Sequence, residues 1–226
     1  MKTATNANKK FIITIAVLLV AMIGLLSALI GVLATNSISL DQSFLYGFDV
    51  GENVAAKVKL SYKVGNGAET IPSVVGSGGA NYTQDADGYI TIDTTTSGSA
   101  SGSPSVENIS LTKDSSTVTF IFEVQDILEG TNSGGQEIGL MASFSVTNSS
   151  NYTYTYWEKG GNQSNASGAV ETDSDGFVRY TTPKTSNVDL GSTPIYYKII
   201  LTLNDFNSEV VDESINVSMT LTQYTA

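Results

Sequence analysis

From Phe44 onward, hydrophobic and polar residues alternate with a period of two, the spacing of half-buried strands. Across residues 54–64, Val58, Leu60, Tyr62 and Val64 fall on one face, while Lys57, Lys59, Ser61 and Lys63 fall on the other. The same alternation returns at 118–124, at 195–203 and, most regularly, at 215–224. Runs of Gly, Ser, Asn and Asp break the pattern at 76–79, 97–105 and 160–168. No amphipathic helical period follows Ala34. The pattern predicts an all-β protein, an antiparallel β-sandwich of jelly-roll or Ig-like type, with one N-terminal hydrophobic helix in front of it.

That helix is the one stretch of different character. Residues 11–34 hold no charge and follow Lys2, Lys9 and Lys10. A run this long suffices to cross a hydrocarbon core. Two readings stay open: a signal peptide cleaved after Ala34, or an anchor holding the chain in the membrane through residues 11–34. Both place the remainder outside the cytoplasm, secreted or on the cell surface. The expected organisation is 1–34 as signal peptide or anchor, 35–52 as an N-terminal strand or linker segment, and 53–226 as the sandwich.

Composition narrows the chemistry. The chain has 11 basic and 22 acidic residues, no His and no Cys. Lys2, Lys9 and Lys10 are the only charges before residue 35, so the remainder carries eight basic and 22 acidic residues, a net −14. This excludes His- and Cys-based triads, disulfides and zinc fingers, and it disfavours nucleic acid, whose phosphates such a charge repels. Nothing in the spacing of the carboxylates selects a catalytic pair, so no catalytic residue and no enzymatic activity is expected. Seven Asn-x-Ser/Thr sequons, at Asn81, Asn108, Asn148, Asn151, Asn162, Asn165 and Asn216, follow from the Ser/Thr richness.

Three features are candidate sites. Asp85-Ala86-Asp87-Gly88 and Asp173-Ser174-Asp175-Gly176 place two carboxylates before a glycine, a pattern that serves either a tight turn or a calcium ion. Their likeness, with the similarity of 111–126 to 190–205, reflects either an internal duplication or convergent strand patterning. Tyr152, Tyr154 and Trp157 form an aromatic strip that either packs in the core or stacks on a sugar, although strict alternation puts Trp157 on the opposite face from the tyrosines. Finally, Ile38, Leu40, Phe44, Tyr46 and Phe48 share one face, with only Gln42 out of pattern. They make either the first strand of the chain's own sheet or a strand donated to a neighbour.

The cationic start, the apolar signal and the run Phe48-Asp49-Val50-Gly51-Glu52-Asn53-Val54-Ala55-Ala56-Lys57-Val58 together resemble secreted β-sandwich proteins of the TasA/camelysin type. Ile109-Ser110-Leu111-Thr112-Lys113-Asp114 resembles small exported proteins of Gram-positive bacteria. The resemblance implies a cell-surface or biofilm-matrix subunit that polymerises by strand donation, with itself or other surface components as partners. The alternative is a secreted or membrane-anchored adhesin or carbohydrate-binding module.

Overall fold

The structure is a computed structural model describing residues 17–23, 25, 39–52, 54–77, 84–94, 100–103, 105–127, 138–147, 151–160, 168–181, 186–188, 193–206 and 215–225. Among the described residues fourteen strands follow one another: β1 (Ser39–Val50), β2 (Ala55–Val64), β3 (Val75–Ser77), β4 (Tyr89–Asp93), β5 (Ala100–Ser103), β6 (Ser105–Thr112), β7 (Thr117–Asp126), β8 (Ile138–Thr147), β9 (Tyr152–Lys159), β10 (Ala169–Thr172), β11 (Val178–Tyr180), β12 (Ser186–Val188), β13 (Ile195–Leu203) and β14 (Ile215–Thr225). The expected all-β class is observed. Residues 17–23 and 25 are helical, and Val17, Leu18, Leu19, Val20, Met22, Ile23 and Leu25 are each 53% exposed or more. Among the described residues no helix is long and apolar enough to cross a membrane.

The strands form two seven-stranded sheets. The first runs β12-β8-β14-β1-β5-β3, with β6 also beside β1, and the second runs β10-β11-β9-β13-β7-β2-β4. Their inner faces share one core, because period-two strands can bury their apolar sides only against another layer. At its centre Tyr46 of β1 packs on Phe120 of β7 (ring centroids 4.7 Å apart), and Phe144 of β8 packs on Tyr197 of β13 (4.8 Å). Every described pairing is antiparallel except that of the two chain-terminal strands, β1 and β14, which run parallel with Phe44 opposite Ile215 and Val50 opposite Leu221.

The second sheet is palindromic. Outward from its centre, β7-β2-β4 on one side match β13-β9-β11 on the other. The two Asp-x-Asp-Gly turns, alike in sequence, are equivalent under this symmetry. Superposing them sets Lys59 on Lys159 and Glu123 on Tyr196, since Lys59 faces Glu123 and Lys159 faces Tyr196 in the pairing registers. The similarity between 111–126 and 190–205 would instead set Glu123 on Thr202. One superposition cannot satisfy both, so the second likeness reflects shared strand patterning.

Candidate functional site

The first candidate is β1. Phe44, Tyr46, Phe48 and Val50 are almost completely buried, whereas Leu45 is 49% exposed and Asp49 faces solvent. This is the predicted alternation. Leu40 is half-buried, and Ile38 lies outside the described residues. Gln42, the residue out of pattern, is buried beside a β-bulge, where the register against β6 shifts between Gln42 and Phe44. An extra residue there re-aims the strand and lets a polar side chain take an inward position. Within the segment 35–52, residues 39–50 form a strand inside the first sheet, between β14 on one edge and β5 and β6 on the other, and residues 35–38 lie outside the described residues.

A single threonine locks the exit from β1. The chain crosses from the first sheet to the second between Gly51 and Val54. Thr94, fully buried just after β4, donates its hydroxyl to the Gly51 carbonyl (2.6 Å) and accepts the Val54 N–H (2.9 Å). The Thr94 N–H bonds the Val54 carbonyl at 2.8 Å, and the Gly51 N–H reaches Leu221 of β14 at 2.8 Å. Buried backbone groups need such partners where the ladder is interrupted.

The second candidate is the outer face of the second sheet. Strand pairing lays Lys159, Tyr196, Glu123, Lys59 and Tyr89 side by side across β9, β13, β7, β2 and β4. Phe177 continues the row beyond Lys159, whose ammonium is 5.7 Å from the Phe177 ring. Glu123 Oε1 accepts from both phenols, Tyr89 at 2.8 Å and Tyr196 at 3.2 Å. The hydrogen bond to Glu123, then burial and the Glu123 charge, push the Tyr89 phenol up to about 12. Burial, followed by the same carboxylate, raises Tyr196. Apart from Tyr89, the row lines a trough of about 550 Å³ to which Ser61, Lys63, Glu69, Ile121 and Asp175 also contribute.

The two aspartate turns rim this face. In the first, Asp85 Oδ1 accepts the N–H groups of Asp87 (3.0 Å) and Tyr89 (2.8 Å), and Gly88 adopts φ +88°. In the second, Asp173 Oδ1 accepts those of Asp175 and Phe177 (both 2.9 Å), and Gly176 adopts φ +83°. The other oxygen of each aspartate meets an ammonium, Lys57 at 3.8 Å from Asp85 and Lys198 against Asp173. Burial alone would raise the Asp173 carboxyl. The Lys198 ammonium and the two backbone N–H groups outweigh it, and the net shift is downward. Asp87 and Asp175 project into solvent. A calcium ion at either turn would have to displace a lysine, and no group of three metal-ligating side chains occurs among the described residues.

The aromatic strip does not assemble. Tyr152 points inward, its ring edge-on to Phe44 at 6.1 Å, and Tyr154 shares that inner face near the sheet margin, 37% exposed. Trp157 is on the outer face, 9% exposed, with its indole N–H donated to Thr155 at 2.9 Å and Lys198 4.7 Å from its ring. Adjacent residues of one strand point to opposite faces. Tyr152, Tyr154 and Trp157 therefore cannot form one sugar platform. Sequence reasoning also missed the row through Glu123, because its members come from five strands and only the sheet register brings them together. The chain matches no protein-family model, no curated protein and no solved structure.

Proposed function

We propose that this chain is an exported structural subunit of the cell surface or extracellular matrix, assembling into fibres when β1 is exchanged between copies. The observation that carries the reading is the position of β1. It is the first strand among the described residues, yet it fills an interior groove between β14 and β5/β6 with Phe44, Tyr46, Phe48 and Val50. A neighbour's β1 would make the same contacts, so exchange is close to neutral in energy once the strand is free. Withdrawing it exposes four side chains worth about 1.5–3 kcal/mol each. Assembly is accordingly fastest where β1 has not yet docked, as at the moment of export.

The sheet margins support this route. The strands ending the two sheet paths are short, with three residues in β3 and β12, four in β10 and five in β4, while the eight-residue β6, which pairs only with β1 among the described residues, is the longer exception. Short edge strands blunt edge-to-edge association. The helical residues 17–23 and 25 leave their apolar side chains exposed, which suits export through, or anchoring in, a membrane. The chain's work is packing and display rather than catalysis.

Negative-stain microscopy of the protein shed from its native cells, paired with intact-mass measurement, tests the proposal. Filaments built from chains of one mass are expected. Monodisperse particles under every condition that concentrates the protein would overturn it. The mass also reports whether the chain begins after Ala34 or keeps its anchor.

A further inference from the structure

We propose that the outer face of the second sheet binds an extended acidic polysaccharide, one whose sugars carry carboxylates at intervals. This site is separate from β1, and neither proposal depends on the other. The starting point is where the positive charge lies. Of the eight basic residues after residue 34, six are on this one face: Lys57, Lys59, Lys63, Lys159, Arg179 and Lys198.

Three of these cations are neutralised within the protein, Lys57 by Asp85, Arg179 by Glu171 and Lys198 by Asp173. Lys59, Lys63 and Lys159 have no carboxylate within ion-pair distance among the described residues, although acidic residues outnumber basic ones almost three to one after residue 34. All three line the trough. Lys113, on the turn after β6, is the other such lysine. In place of carboxylates, aromatic rings hold two of them. Lys59 Nζ is 5.0 Å from the Tyr89 ring, and Lys159 Nζ is 5.7 Å from Phe177 and 5.9 Å from Tyr196. A ring steadies an ammonium without cancelling its charge. The trough therefore presents ring-steadied lysines outside any close ion pair, interspersed with three carboxylates, Glu69, Glu123 and Asp175.

Their arrangement selects the ligand. Lys59 and Lys159 are equivalent under the sheet's pseudo-two-fold symmetry and stand three strands apart, about 14 Å at ordinary strand spacing. Repeated cations suit a ligand with repeated anions. Between them the pairing registers set Tyr196 and Glu123, and Glu69 and Asp175 line the same trough; all of these accept hydrogen bonds, and the carboxylates repel dense negative charge. A polymer with closely spaced phosphates meets those carboxylates, whereas a uronate chain sets sugar hydroxyls there and carboxylates at the lysines. The distant acidic surface interferes little, because charges beyond about 8 Å are screened at physiological ionic strength.

The test uses the full chain in neutral detergent, with Trp157, the only tryptophan, as the fluorescent reporter and native-gel retardation as a second readout. The probes are an oligogalacturonate long enough to cross the trough, a neutral maltooligosaccharide of equal length and a phosphodiester polymer. The oligogalacturonate is expected to bind, more weakly as salt rises, and to bind best of the three. The double variant Lys59→Gln/Lys159→Gln should lose about tenfold in affinity or more. Lys113→Gln should match wild type, and all variants should keep the wild-type circular dichroism. If the double variant misfolds, Lys159→Gln alone, at an exposed position, must show the loss. Absence of oligogalacturonate binding, equal binding by the double variant, or equal affinity for either other probe overturns the proposal. So does a double variant that only dissociates an oligomer, which would make this face a contact between copies.

Discussion

Replacing Thr94 by valine keeps the shape of the side chain and removes its hydroxyl, which isolates the hydrogen bonds at the β1–β2 crossing. Two backbone groups lose their partner, the buried Val54 N–H and the half-buried Gly51 carbonyl. An orphaned buried group costs about 1–3 kcal/mol, less where water can reach it. The expected loss is therefore about 2–4 kcal/mol in urea unfolding, with an unchanged denaturant slope. In a chain of this size that lowers the melting midpoint by roughly 4–16 °C. Thr94→Ser retains both hydrogen bonds and should lose only the small contribution of one methyl group. The loosened crossing should also speed exchange of β1 between copies, read as faster filament growth. A Thr94→Val protein within about 0.5 kcal/mol of wild type would refute the claim that this hydroxyl locks the strand.

Other outcomes follow from the same geometry. Gly88→Ala should destabilise more than Gly176→Ala although the turns match: both suffer about 1–2 kcal/mol of left-handed strain, but a Cβ at Gly88 would lie 2.6 Å from Ile71 Cγ2, whereas at Gly176 its nearest neighbour is the Lys159 tip at 4.0 Å. Equal losses in chemical denaturation would contradict this. Tyr89 ionises near 12 when folded and near 10 when unfolded, so its contribution to stability is complete below pH 10 and disappears as pH rises through 10–12. Ultraviolet titration of Glu123→Gln should show the Tyr89 transition moving back toward 10, and an unmoved transition would refute the Glu123 hydrogen bond as its main cause. Tyr46 Oη is buried with no hydrogen-bond partner among the described residues, so Tyr46→Phe should stabilise the chain by up to about 1 kcal/mol, and a clear loss in urea unfolding would show that the phenol has a partner.

The parts of this fold that were legible in the sequence are those where burial acts on one strand at a time. Val58, Leu60 and Tyr62 announce β2 because one face of a strand is apolar and the other is not, and the same parity placed Trp157 opposite Tyr152 and Tyr154. Gln42 stood out for the same reason, and a bulge lies beside it. Pairing is different. Nothing periodic in 39–50 or 215–225 says that these strands lie together and run parallel, since their inward side chains alternate identically in either direction. Thr94 was invisible, one of three consecutive threonines with nothing to single it out until the fold brings its hydroxyl to Gly51 and Val54. The trough was invisible too. Lys59 and Glu123 read as solvated outer residues, and only the register sets them beside Tyr196, Lys159 and Tyr89.

The central claim, exchange of β1, can be tested with a reversible pin. The chain lacks cysteine, and Asp41 of β1 touches Ser110 of β6 directly across the sheet. Asp41→Cys/Ser110→Cys therefore introduces one disulfide that ties β1 into its own sheet. Counted by electron microscopy, the oxidised protein should form no filaments and the reduced protein should form them as wild type does. Filaments of equal number from oxidised, fully cross-linked monomers would contradict the account.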